Sequence, residues 1–206
     1  MPFTRFDKLT QQRRERILDA AAQEFADYGF EDASINRILE NAKMSKGAAY
    51  YYFEDKVDLF ATTVQYCVQR LELIDRELDT TSLTSENFWR IFSELHRRPL
   101  LRSFDQPWLF GAIRAAGNLS PAALERKPLA TLASQIKMWA MNIMKRGQQL
   151  GMIRTDLPDE LIFGWLEALD NASDRWLLAH WQELDRPAIA RYSDLTVEAM
   201  KRPVSP

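Results

Sequence analysis

Positions 45–56, Ser45-Lys46-Gly47-Ala48-Ala49-Tyr50-Tyr51-Tyr52-Phe53-Glu54-Asp55-Lys56, hold the residues of this chain best equipped to meet a polyanion. Each tyrosine hydroxyl and each lysine ammonium can donate to a phosphate oxygen. Ser45 suits a helix N-cap, because its hydroxyl accepts from a free backbone N–H of the first turn. Gly47, Ala48 and Ala49 leave the front of that helix almost bare, and a bare face lets a backbone approach another surface closely. Asp55 can cap a second helix, which puts Lys56 in a first turn whose N–H groups themselves attract anions. This layout suits the reading helix of a helix-turn-helix followed by a phosphate clamp.

The flanking sequence supplies the elements that must position it. Leu18, Ala21, Ala22 and Phe25 fall at i, i+3, i+4 and i+7, one buried helix face. Gly29 sits where a helix C-terminus takes glycine. Ser34 caps the next helix, and Ile35, Ile38, Leu39 and Ala42 repeat the helical spacing. Lys43 and Met44 then link to Ser45, so the second and third helices are close enough for a helix-turn-helix.

Positions 9–60 resemble the DNA-binding head of TetR/AcrR-type transcriptional regulators. The matching residues are Ile17, Ala20, Phe25, Gly29, Phe30, Ile38, Ala42, Ser45, Lys46, Gly47, Tyr50, Phe53, Lys56 and Leu59. The resemblance covers about a quarter of the chain, and the remainder is compatible by length and helicity only. It implies that Lys46, Gly47 and Ala48 face base edges in the major groove. Tyr50, Tyr51 and Lys56 would hold phosphates, with Thr10 or Arg5 helping from the N-terminal side. The family usually has glycine in the turn where this chain has Lys43. A left-handed backbone costs a residue with a Cβ roughly 1 kcal/mol. Either Lys43 accepts that strain, with a phosphate within its reach, or the turn has another shape. Leu39 stands where the family favours alanine, which alters packing between the two helices.

Composition narrows the function classes. A chain of 206 residues with 46% hydrophobic residues can bury a sizeable core. A formal net charge of −2 does not advertise nucleic acid, so any DNA contact must rest on local basic patches. Cys67 is the single cysteine, which excludes an internal disulfide and fits a reducing compartment. No apolar run is long enough to span a membrane, and the N-terminus lacks an apolar signal core, so a cytoplasmic protein is expected. His96 and His180, the two histidines, lack metal-ligand spacing. There is no phosphate-binding glycine loop and no nucleophile elbow. An enzyme, a cofactor and a metal are therefore not expected. A helical adaptor that binds protein alone is the rival class, and the bare, lysine-flanked tyrosine helix argues against it.

Beyond the head, Val57, Phe60, Val64, Cys67, Leu71, Ile74 and Leu78 form a stripe that predicts one connector helix over residues 55–80. Further helices are expected over 85–97, stopped by Pro99, and over 106–116, 128–150, 158–181 and 187–201. The expected fold is all-α. Residues 1–54 form the helix-turn-helix head, and 55–206 form a larger ligand-binding and dimerisation region. The apolar face of 158–181 is too wide for a helix covered on one side. Ile162, Leu166, Leu169 and Trp176, with Tyr192 and Thr196 of the last helix, are expected to pair with their copies in a homodimer. Aromatic and methionine side chains crowd the middle helices, and the resemblance turns that crowding into an expected effector pocket. Its candidate residues are Phe88, Phe92, His96, Trp108, Arg114, Met138, Trp139, Asn142 and Trp165. The function so implied is that of a ligand-responsive repressor, released from a near-palindromic double-stranded operator by a small apolar or aromatic effector.

Overall fold

The computed structural model of the chain describes residues 2–45, 48–75, 78–119, 125 and 127–206, with the backbone alone for 48, 49, 118, 127 and 128. The helices are α1 (Thr4–Asp7), α2 (Gln11–Asp32), α3 (Ile35–Asn41), α4 (Ala48–Tyr52), α5 (Lys56–Arg70), α6 (Phe88–Arg102), α7 (Pro107–Ala115), α8 (Lys127–Gln149), α9 (Asp159–Ala179) and α10 (Arg186–Val204). Short 3-10 turns accompany them, and no strand occurs among the described residues. None of the described helices is long and apolar enough to cross a membrane. The chain divides into two compact units, Met1–Leu71 with Gln106–Ser134, and Glu72–Asp105 with Gln135–Pro206.

The first unit is organised on α2. Thr10 begins α2 by accepting the Arg13 N–H at 3.4 Å, and Ser34 and Asp55 cap α3 and α5 in the same way. Ile17, Leu18, Ala21, Ala22 and Phe25 are all buried, as their spacing requires. Gly29 takes φ 68° and kinks α2 before its last residues. Phe25, Phe30 and Phe60 meet beside that kink, with ring centroids 4.7 Å apart for Phe25–Phe60 and 5.2 Å for Phe30–Phe60. Edge-to-face aromatic pairs of this kind add to what their buried area contributes. The stripe of α5 is buried at Phe60, Val64, Cys67 and Leu71. Burial pushes the Cys67 thiol up to about 12, with the Asp19 charge acting in the same direction, so this cysteine is an inert core residue.

The expected connector over 55–80 is not one helix. α5 ends at Arg70, and Glu72 adopts φ 50°. No glycine or proline marks the break. Side-chain pairs within the second unit hold the broken form instead. Arg102 pairs with Glu72, Arg98 with Asp75 at 2.7 Å, and the Trp139 indole donates to the Asp75 carbonyl at 3.2 Å.

In the second unit Leu83, Phe88, Ile143, Met144, Ile153, Ile162 and Val204 form the core. Pro99 does not stop α6, which continues to Arg102. A proline inside a helix removes one N–H bond, and here Pro99 and Leu100 are both buried, which offsets the loss. The expected stop at Gly151 holds. Gly151 has φ 68°, and the Met152 N–H donates back to the Gly147 carbonyl at 2.8 Å.

α7 lies so close along α2 that a Cβ added at Gly111 would stand 2.9 Å from the Ala26 Cβ. Gly111→Ala is expected to lower unfolding free energy by about 1–3 kcal/mol, the usual range for overpacking. Urea denaturation of this variant beside Gly117→Ala, whose added Cβ meets nothing within 4 Å, checks it. Equal midpoints would remove the close approach.

Candidate nucleic-acid interface

The start of α3 is fixed by a buried carboxylate. Glu24 is 4% exposed, and its Oε1 accepts from the Ser34 N–H at 2.6 Å and from Arg37 Nε at 2.8 Å. Arg37 also donates to the Asp32 carbonyl at 3.0 Å and lies over the Tyr28 ring. A buried carboxylate is tolerable when paired and hydrogen-bonded in this way. The hydrogen bond to Glu24 raises the Arg37 pKa, against desolvation. Sequence reasoning missed this lock. Its signal was an acid set inside the apolar face of α2.

The end of α3 answers the question posed by Lys43. The Lys43 N–H donates to Glu40 O at 3.0 Å, and the Met44 N–H to Leu39 O at 2.8 Å. These are the paired bonds of a Schellman turn, with Lys43 in the left-handed position at φ 57°. The turn keeps its shape, and lysine bears the strain with its side chain exposed. Leu39 is buried at 3% exposure, so the larger residue there is absorbed into the core.

α4 follows. Tyr50 and Tyr51 are 67% and 53% exposed, while Phe53 is buried. α1 braces this helix from the other side, an element not anticipated from the sequence. The Phe3 N–H donates to the Tyr52 carbonyl at 2.8 Å. The buried Phe6 ring sits 4.9 Å from Phe53 and 6.1 Å from Tyr52. Arg5 lies over the Tyr51 ring at 4.4 Å, which places a cation beside the exposed tyrosine pair. Ser45 is exposed just ahead of α4. Lys46 and Gly47 lie outside the described residues, and Ala48 is described by its backbone in α4.

Lys56 opens α5 and donates to the Glu31 carbonyl at 2.8 Å, with Phe30 beneath its ammonium at 5.0 Å. An ammonium carries three donors, so this contact orients the group and leaves others for a phosphate. Asp58 completes a capping exchange there, accepting from the Glu54 N–H at 3.1 Å while its own N–H donates to Asp55 at 2.9 Å. Thr10 keeps its hydroxyl proton for a further acceptor. The head therefore presents Lys43, Tyr50 and Tyr51 as exposed groups on a braced helix-turn-helix.

The sequence model described as "Bacterial regulatory proteins, tetR family" matches residues 17–63, which span this helix-turn-helix. Residues 17–63 carry a DNA-binding domain of the TetR/AcrR family. It is similar to the HTH-type transcriptional repressor Rv1474c of Mycobacterium tuberculosis, at 25% identity over 98% of this chain and 100% of that one. It is also similar to the HTH-type transcriptional repressor AcnR of Corynebacterium diphtheriae, at 27% identity over 92% of each. Among solved structures, the transcriptional regulator FadR of Bacillus subtilis in complex with stearoyl-CoA shares the fold. Its TM-score is 0.68 at 16% identity, covering 90% of this chain and 96% of that one.

The expected effector residues fall in both units. Trp108 and Arg114 belong to the first unit, and the others to the second. Trp108 buries its indole N–H without a hydrogen-bond partner among the described residues. Phe88 is core, with Phe92 and Trp139 packed against it. Trp165 is half-buried. Met138, at 62% exposure, and Asn142 face solvent rather than an apolar cavity, because α8 turns Ile143 and Met144 inward.

His96 sits in a polar cluster of α6, α9 and α10. Its Nδ1 is 2.6 Å from Ser193 Oγ and its Nε2 3.1 Å from Asp170 Oδ1. Burial pushes the imidazole pKa down. The Asp170 hydrogen bond and the charges of Asp170, Asp174 and Asp194 more than offset it, and the net direction is up. Beside it, Glu94, Arg97, Arg98, Leu101, Arg102 and Arg186 line an open cleft of about 480 Å³. Each of its arginines is already paired, Arg97 with Asp194, Arg98 with Asp75, Arg102 with Glu72 and Arg186 with Asp105.

The expected dimer residues divide as well. Ile162 is fully buried in the core of its own subunit, and Thr196 is 7% exposed with its hydroxyl donating to the Tyr192 carbonyl. Neither offers surface to a second copy, because part of the wide apolar face is used internally. Leu166 packs against the same core, and Leu169 is half-buried. Trp176 is 42% exposed, stacks on His180 and meets Tyr192 at a tilt, with Leu161 and Leu195 exposed on the same two helices.

Lys43→Gly is expected to raise stability by about 1 kcal/mol by relieving the left-handed strain. The same change should weaken binding to duplex DNA and reduce the salt dependence by about one phosphate contact. Urea unfolding and a salt titration of binding separate these effects. A stability loss would mean that the turn does not strain lysine.

Proposed function

We propose that this chain is a ligand-responsive transcriptional repressor that binds a near-palindromic operator as a homodimer and loses it when an effector binds. The observation that carries the reading is the braced α4 with Tyr50 and Tyr51 exposed and Arg5 over the Tyr51 ring. Residues 1–54 dock on the duplex. Lys46, Gly47 and Ala48 meet base edges, and Tyr50, Tyr51, Lys56 and Lys43 hold phosphates, with Thr10 helping at the start of α2. Residues 55–206 carry effector binding and dimerisation, the latter through Leu169, Trp176, Tyr192 and the neighbouring exposed leucines.

Two indications support an effector. The indole N–H of Trp108 is buried without an acceptor among the described residues, and an effector oxygen would supply one. The structural neighbour from Bacillus subtilis holds stearoyl-CoA. Such an effector acts by binding the DNA-incompetent conformation more tightly, which shifts the population away from the operator-bound state. The protein is a cytoplasmic regulator without catalytic activity in this reading.

Selection of bound duplexes from random DNA tests it, with wild type and Tyr50→Ala in parallel. Wild type is expected to enrich a palindrome with half-sites roughly 34–36 Å apart, and Tyr50→Ala to lose affinity across sequences. Absence of enrichment at low salt would favour a protein-binding adaptor. Sedimentation at micromolar concentration is expected to give a dimer, and a monomer would remove the α9–α10 interface.

A further inference from the structure

We propose that His96, Asp170 and Asp174 form a binding site for one divalent transition-metal ion, with Ser193 as its supporting residue. The three donors come from two helices, His96 from α6 and the carboxylates one turn apart on α9. One ligand atom of each lies within 4.8 Å of the other two. Two ligands at right angles on an ion with bonds of about 2.1 Å stand about 3.0 Å apart. The His96 Nε2 to Asp170 Oδ1 separation is 3.1 Å, so this pair already has the spacing of neighbouring ligands.

The surroundings support the same assignment. Metal-binding histidines hold the other ring N–H on a hydrogen-bond acceptor, which fixes the tautomer and aims the lone pair. The fully buried Ser193 Oγ stands 2.6 Å from Nδ1 and can take that role, leaving Nε2 directed at the carboxylates. Asp174 is 3% exposed, so an ion held there would be largely shielded from water on that side. A proton on His96 and a metal ion compete for the same ring nitrogen. One imidazole with two carboxylates suits manganese, iron, cobalt or zinc, and magnesium less well.

The test uses the full chain, stripped with chelator and titrated at neutral pH with cobalt by absorbance and with zinc by calorimetry. Binding is read on the protein alone, so the outcome is independent of the DNA reading, although the effector reading also uses His96. One ion per chain is expected. Ser193→Ala keeps all three donors and should weaken binding by about 10–100-fold. Asp174→Asn and His96→Gln should abolish the cobalt spectrum while far-ultraviolet circular dichroism stays helical. Should either variant unfold, Ser193→Ala and Asp170→Asn carry the test. Failure of the wild type to take up either ion, or unchanged affinity in the variants that fold, would overturn the site.

Discussion

A carboxylate in an apolar interior must collect donors or give up its charge, and Glu24 collects them from the place that sets the helix-turn-helix. Its partners are the first N–H of the α3 approach and the guanidinium one turn later. The carboxylate on α2 thus dictates where α3 begins. The seven residues of α3 then dictate where Lys43 falls, and the turn at Lys43 dictates how α4 leaves. Phe6 and the Phe3 N–H close the far side. The exposure of Tyr50 and Tyr51 is the end of that chain of constraints rather than a property of α4 alone, which is only five residues long.

What was legible in the sequence was local. Thr10 starting α2, and Ser34, Asp55 and Gly151 at their helix ends, act through groups within a few residues of themselves, so pattern reading reached Ser34, Asp55 and Gly151. Burial of the α2 and α5 stripes follows from helical period in the same way. The misses are tertiary. The apolar stripe from Val57 to Leu78 has a helical period throughout, yet the helix stops at Arg70. Partners remote in sequence, such as Arg98 and Trp139, hold the segment that follows. Ile162 read as interface because period shows that a face is apolar but not what covers it. Met138 read as pocket lining for the same reason.

The second unit shows the limit of spacing arguments for chemistry. His96 and Asp170 lie 74 positions apart, and only the packing of the second unit brings them together. The arginines along α6 make the complementary point. A run of basic residues suggests an anion site, yet each arginine in the cleft already has an acid beside it. Their charge is largely spent on holding the unit together, although single surface pairs of this kind contribute little each.

The close seating of α7 on α2 through Gly111 bears on modularity. The unit that holds the reading helix is discontinuous in sequence, because it borrows residues 106–134 from beyond α6. A cut after Leu71 would strip α2 of a neighbour and expose Ala26 and its surroundings to water. Recombination that joins this head to another regulator's C-terminal region would have to carry a compatible α7 with it. Exchange of specificity among such proteins is then easier by substitution within α4 than by swapping whole N-terminal segments.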